Sequence, residues 1–364
     1  MKIAQVAPLY EAVPPKLYGG TERVVAHLTD ALVDLGHQVT LFASADACTR
    51  ATLAPVRSQA IRLDPTPLKS DVAAHLSMLS EVRRLQDRFD VIHFHVDMLH
   101  FPLFESVAGR TLTTLHGRLD LADLPEVYRH WPRFPLVSIS NAQRTHLPFA
   151  NWAGTVHHGI PSDLLAFTAE PRGYLAFLGR ISPEKGPDRA IAIAKRLRMK
   201  LRIAAKVDAA DATYFETCIR PLLDDPLIEF VGEIGDAKKA DFLGGAEALL
   251  FPIDWPEPFG LVMIEAMACG TPVIAYPCGS AAEVVDDGVT GYLVDGEEEA
   301  AQAVLRVRDL DRRQIRRRFD RRFSAVTMAR GYLDLYAERL ARAPLTLASK
   351  RNAAEERDSL ANIA

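Results

Sequence analysis

The sequence predicts an α/β protein made of two Rossmann-like domains, each with a parallel sheet, facing each other across a cleft. Three observations predict it. Short apolar runs alternate with longer amphipathic stretches along the chain, the β-α-β-α rhythm of a parallel sheet covered by helices on both faces. The rhythm is broken once by Gly and Pro, in HHGIPSDLLAFTAEPRG (157–173). The chain has 364 residues, long enough for two domains.

In the first half the strand candidates are KIAQVA (2–7), QVTLFA (38–43), DVIHFH (90–95), TLTTLH (111–116), PLVSIS (135–140) and GTVHH (154–158). Helices are expected at 21–35, 71–88 and 141–149, the first stopped by Gly36. In the second half GYLAFLG (173–179), LRIAAK (201–206), IEFVG (228–232), ALLFP (248–252) and PVIAY (272–276) read as strands. Helices are expected near 186–198, 211–223, 236–245 and 260–269. Residues 297–345 read as helical, with Tyr332 and Tyr336 at i, i+4 on the last helix (about 324–341), and the polar stretch from about Pro344 as a frayed end. The arginine-rich VRDLDRRQIRRRFDRRF (307–323) reads as a solvated helix face, because Val307, Leu310, Ile315 and Phe319 keep near-helical spacing; a surface for anionic lipid or nucleic acid is the alternative.

Hydrophobic residues make up 48 % of the chain and charged ones 25 %, as in ordinary globular proteins. A net charge of −4 does not point to nucleic acid. No signal segment opens the chain and no apolar run reaches the roughly 18 residues of a membrane span. Cys48, Cys218, Cys269 and Cys278 have no C-x-x-C spacing, which suits reduced thiols and a cytoplasmic location.

Ligands in such sheets bind beyond the carboxyl ends of the strands, so the loops that follow strands carry the candidate site. In FLGRISPEKG (177–186), Arg180 and Lys185 sit between a strand end and a helix start. That placement suits a diphosphate, with a solvated loop as the alternative. In WPEPFGLVMIEAMACGTPVIA (255–275), Glu257 lies on a loop and Glu265 inside the helix after it. A buried carboxylate is costly unless it is paired or hydrogen-bonded, so two glutamates in an apolar stretch ask for partners. The N–H groups of Phe259, Gly260, Leu261 and Val262 form a helix N-terminus suited to phosphate or sugar oxygens. Glu265 could accept from a vicinal diol such as a ribose, a surface position being the alternative. In PLYEAVPPKLYGGTER (8–23), Gly19 and Gly20 open a helix where backbone can approach a ligand. G-x-G-x-x-G and G-x-x-x-x-G-K-[ST] are both absent. His116 ends its strand facing the cleft, with a purely structural role as the alternative. HFHVDMLH (93–100) lacks the ligand spacing of a zinc site, and DLD (309–311) lies away from any strand end, so no metal site is assigned.

Taken together, GGTER, His116-Gly117, GRISPEKG and the Glu-x7-Glu of EPFGLVMIEAMACGTPVIA resemble the family 4 retaining glycosyltransferases. FLGRISPEKGPDRAI, AAKVD and LLFPIDWPEPFG resemble their avilamycin-type branch. The resemblance runs from residue 1 to about 340. It implies a GT-B fold: an acceptor-side domain over 1–165, a nucleotide-sugar-binding domain over 166–324, a C-terminal helix (about 325–345) crossing back onto the first domain, and a tail over 346–364. It implies that Arg180 and Lys185 bind the donor diphosphate, Glu265 the ribose hydroxyls and Glu257 the sugar hydroxyls. Phe259, Gly260, Leu261 and Val262 would offer backbone amides. His116 would lie beside the transferred sugar, Gly19 and Gly20 would approach the phosphate, and Glu233 and Ile234 would flank the base.

The implied reaction is metal-independent hexosyl transfer, with retention, from a UDP-sugar co-substrate such as UDP-glucose, GDP-mannose and ADP-glucose standing behind it. No cofactor is expected. The acceptor (a saccharide, a lipid-linked sugar or a small molecule) belongs to loops near 8–18, 44–60 and 117–133. Peripheral membrane contact is an added expectation, and nucleic acid is not a partner. The alternatives are a GT-B sugar-nucleotide epimerase, which would need no acceptor, and a binding protein with a degenerate site.

Overall fold

A computed structural model gives the structure of the protein and describes residues 1–16 and 19–342. The expected polar tail lies outside the described residues. The first domain runs β1 (Lys2–Val6), α1 (Gly20–Asp34), β2 (Gln38–Ser44), β3 (Thr52–Arg57), α2 (Asp71–Arg84), β4 (Val91–Phe94), α3 (Phe101–Phe104), β5 (Thr111–Thr114), α4 (Leu124–His130), β6 (Leu136–Ser138), α5 (Asn141–Arg144) and β7 (Trp152–Thr155). These strands form one sheet in the order β3-β2-β1-β4-β5-β6-β7. Every pairing is parallel, with Ile3 opposite Val39 on one side and Val91 on the other. Every residue of β4 and β5 is buried, as helices on both faces require.

The second domain runs β8 (Tyr174–Arg180), α6 (Pro187–Leu197), β9 (Lys200–Lys206), α7 (Ala212–Tyr214), β10 (Ile228–Gly232), α8 (Asp236–Gly244), β11 (Ala246–Phe251), α9 (Leu261–Ala268), β12 (Val273–Ala275), α10 (Ala281–Val284), β13 (Gly291–Leu293), α11 (Glu297–Arg306) and α12 (Arg312–Arg322). Its sheet, also parallel, has the order β10-β9-β8-β11-β12-β13. Strand order therefore reverses between β1 and β4 in one domain and between β8 and β11 in the other. Those two switch points open crevices, and the crevices face each other.

The last helix, α13 (Ala325–Arg342), returns to the first domain. Its Met328, Ala329, Tyr332 and Tyr336 are buried with Ile3, Val24, Leu28 and Val137. Each such side chain taken from water contributes about 1.5–3 kcal/mol for the larger residues. The chain crosses between domains twice, and the crossings lie side by side: Ile160 N donates to Phe323 O at 3.0 Å and Ala325 N to Ile160 O at 2.8 Å.

Several local expectations differ. A strand, β3, forms within the supposed 44–60 loop; Pro55 weakened its signal, and it is tolerated because β3 is an edge strand. α4 forms within the supposed 117–133 loop. The helix expected over 141–149 ends at Arg144, and the strand expected over 154–158 is β7, two residues earlier. The helix expected over 211–223 is broken into short 3₁₀, α and π turns, with Pro221 removing a backbone donor near its end. β13 and α10 are too short to show a period. The arginines of α12 are not simply solvated. Arg316 Nη1 reaches Ala268 O at 2.8 Å, capping α9, and Arg312 Nη1 reaches Ala246 O at 3.0 Å.

Candidate active site

The candidate residues stand in the loops that follow strands or in the first turns of the helices after them. β8 ends at Arg180, a 3₁₀ turn of Pro183–Lys185 follows, and Gly186 (φ 68°) leads into α6. The loop after β11 carries Glu257 to Gly260, whose φ of 76° turns the chain into α9. That dihedral is what asks for glycine here, and a Cβ would also crowd Met263 Cε at 2.7 Å and the Phe251 ring at 3.0 Å. The first N–H groups of α9 then face the cleft with no carbonyl one turn behind them. Glu233 and Ile234 follow β10, and His116 follows β5. Gly19 and Gly20 open α1, and a Cβ on Gly20 would lie 3.9 Å from Leu261 Cδ1, which measures how closely the two domains approach there.

All of these residues line one cleft of about 770 Å³ between the domains: Gly19, Gly20, His116, Arg180, Lys185, Glu233, Ile234, Glu257, Phe259, Gly260, Leu261, Val262 and Glu265. That volume is in the range of small-molecule sites.

Both buried glutamates have partners. Lys185 Nζ donates to Glu257 Oε2, which also accepts from Trp255 Nε1 at 3.0 Å. The same ammonium sits 4.5 Å from the centre of the Trp255 ring. Glu265, only 4 % exposed, accepts from Lys239 Nζ at 2.6 Å, and the alternative of a surface glutamate is excluded. Arg180 meets three carboxylates: Glu184 at 2.6 Å, Asp211 at 3.6 Å and Asp208 at 3.8 Å. The cations are thus compensated, and each glutamate keeps one oxygen outside these bonds.

Across the cleft His116 Nε2 pairs with His95 Nδ1 at 2.8 Å, and burial pushes the His116 imidazole down to about 3. It is therefore neutral near pH 7 and cannot serve as a standing cation. His93 and His95 pair within the first domain, and among the described residues no group of three or more His, Cys, Asp or Glu could hold a metal ion. The domains are also latched. Glu283 of α10 accepts from Asn141 N at 2.8 Å and Ala142 N at 2.6 Å, capping α5 of the other domain. Burial pushes its carboxyl up, but bonds from His157, Asn141 and Ala142 outweigh that and hold it at about 2.

Sequence reasoning missed some of the lining. Lys239 and His158 line the cleft and matter through contacts across elements, which no spacing reveals, and Trp255 backs the Lys185–Glu257 pair. Glu22 and Arg23 of GGTER are both buried in the cleft wall, and Arg23 pairs with Asp236 of the other domain.

Residues 18–163 match the domain described as Glycosyltransferase Family 4, and residues 167–322 match Glycosyl transferases group 1. The chain is similar to a D-inositol 3-phosphate glycosyltransferase of Corynebacterium kroppenstedtii, 33 % identical over 47 % of this chain and 41 % of that protein. The chain thus spans less than half the length of that relative. It is also similar to the phosphatidyl-myo-inositol mannosyltransferase of Mycobacterium leprae, 27 % identical over 83 % of this chain and 86 % of the relative. Among solved structures it resembles AviGT4, a glycosyltransferase involved in avilamycin A biosynthesis, with a TM-score of 0.72 and 24 % identity over 94 % of this chain and 98 % of that one. It resembles HepE of Anabaena, solved in complex with UDP and glucose, with a TM-score of 0.72 and 18 % identity over 93 % and 100 % of the two chains. These likenesses show the GT-B fold. Among the described residues no helix is long and apolar enough to cross a membrane.

Proposed function

Because the chain belongs to the glycosyltransferases that join a family 4 domain to a group 1 domain, we propose that it moves a hexose from a UDP-sugar, UDP-glucose or a close relative, to an acceptor hydroxyl, with retention and without a metal. One observation carries the reading. Two cations, Arg180 and Lys185, share a cleft wall with the N-terminus of α9, with Glu257 and Glu265 beside them. Breaking the anomeric C–O bond leaves a nucleoside diphosphate with growing negative charge. Two cations and a helix N-terminus stabilise that charge where it develops. The free oxygen of Glu265 accepts from the ribose diol and Glu257 from sugar hydroxyls. The acceptor oxygen attacks on the face that the diphosphate leaves, and a diphosphate oxygen takes its proton. UDP is the first choice because HepE was solved with UDP and glucose. The mannosyltransferase relative makes GDP the donor nucleotide to test against it.

Thermal unfolding with UDP, GDP or ADP at equal millimolar concentration, in EDTA, tests this. A ligand that binds only the folded state stabilises by RT ln(1 + [L]/Kd), about 2.7 kcal/mol at a hundredfold excess. A rise in Tm with UDP alone supports the donor and the metal-free site. A rise only with GDP or ADP replaces the donor, and no rise with any of them overturns the assignment of Arg180, Lys185 and Glu265.

A further inference from the structure

One chain of buried hydrogen bonds runs from the cleft to the last helix. His116 Nε2 meets His95 Nδ1 at 2.8 Å, and His95 Nε2 meets Gln5 Oε1 at 2.7 Å. Gln5 Nε2 donates to Tyr336 Oη at 3.1 Å, and Tyr336 Oη meets His93 Nδ1 at 2.7 Å. His93 Nε2 then meets Thr114 Oγ1 at 2.7 Å, which meets Tyr332 Oη at 2.9 Å. Gln5, His93, His95, Tyr332 and Tyr336 are all 3 % exposed or less. At the cleft end, His116 Nδ1 is buried and has no partner among the described residues.

Burial keeps the three imidazoles neutral. A neutral imidazole has one donor and one acceptor nitrogen, so fixing one proton fixes the next. Such a chain has two polarities, and a single group, the Gln5 amide, separates them. Its oxygen faces His95 and its nitrogen faces Tyr336. His95 therefore carries its proton on Nε2 and accepts on Nδ1, so His116 must donate from Nε2 and keep a lone pair on Nδ1. Turning the Gln5 amide over would reverse every proton and make His116 Nδ1 a donor.

We propose that Gln5 of β1, acting through His95, holds His116 with its proton on Nε2, so that Nδ1 offers a lone pair to a hydroxyl of the ligand in the cleft. Gln5 and His95 are then positioning residues, and Tyr336 of the helix that crosses back receives the amide nitrogen. The ligand half of this statement rests on the glycosyl-transfer reading above; the proton placement does not.

The test is ¹⁵N NMR of the histidine-labelled full chain, with a His116→Asn sample to assign the resonance. In the unsubstituted protein His116 should show an unprotonated Nδ1 and a protonated Nε2; the reverse overturns the proposal. Tyr336→Phe removes the partner of the amide nitrogen, and Gln5→Leu removes the amide, so one variant suffices if the other fails to fold. Either should shift His116 toward the Nδ1–H form, and should lower kcat/KM by about tenfold, the worth of one hydrogen bond, while UDP affinity stays within about twofold. An unshifted tautomer in a folded variant overturns the role of the network. A shifted tautomer with unchanged turnover overturns the ligand half. If the unsubstituted protein turns over no nucleotide sugar while its tautomers behave as stated, glycosyl transfer falls and the proton placement stands.

Discussion

Lys185 and Glu257, 72 residues apart in sequence, form an ion pair on the cleft wall, and Trp255 is bonded to the same carboxylate oxygen. The pair solves the problem of a buried carboxylate, and in the proposed function the diphosphate of the donor competes with Glu257 for Lys185. Lys185→Ala should lower kcat/KM by at least about 10²-fold, the scale of losing one transition-state donor, and Arg180→Ala by a similar factor. Steady-state kinetics on whichever nucleotide sugar the protein turns over checks both, and unchanged turnover in the two variants would remove them from the site.

Glu265 holds Lys239 with one oxygen, and in the proposed function the other oxygen accepts from the ribose diol. The protein should therefore bind UDP about tenfold more tightly than 2′-deoxy-UDP. Glu265→Gln should bind UDP more weakly and lose most of that discrimination. Titration calorimetry on the four combinations decides it, and an equal preference in both proteins would move the ribose elsewhere.

The Glu283 latch predicts a pH dependence with a definite sign. Its folded carboxyl sits at about 2, below the ordinary 4.5. Its contribution is therefore complete above pH 4.5 and is lost as pH falls toward 2. Glu283→Gln should have a lower Tm than the unsubstituted protein at pH 6, and the gap should narrow as pH falls through that window. A gap that stays constant from pH 6 down to pH 3 would show that the carboxylate does not act as a latch.

Gly260→Ala places a side chain at φ 76° and 2.7 Å from Met263 Cε. The left-handed conformation alone costs about 1–2 kcal/mol, and the crowding adds to it. The variant should melt several degrees lower and bind UDP more weakly, since the N-terminus of α9 must shift. A full-strength UDP response would show that these amides are not part of the donor site.

The long strands and helices were legible because burial on both faces leaves unbroken apolar runs, as in β8, and because Gly36, Gly186 and Gly260 punctuate the turns. The candidate site was legible for the same reason: polar residues in otherwise apolar stretches, such as Glu265, stand out. What stayed hidden depends on contacts between distant segments. Lys239 becomes Glu265's partner only because α8 lies against α9, and Glu283 becomes a cap only when the domains meet. Gln5 in KIAQVA looks like one polar residue in a strand until Tyr336 arrives beside it.

That last contact bears on how the molecule is made. The first domain buries Tyr332 and Tyr336 of α13 in its own core, yet the ribosome makes those residues only after the whole of the second domain. Synthesis thus delays completion of the part that begins first. Until α13 emerges, Gln5, His93 and Thr114 of the nascent first domain lack the bonds they make to Tyr336 and Tyr332, and the second domain can fold while the first is still open. Assembly of the cleft and completion of the first domain are then a single late event.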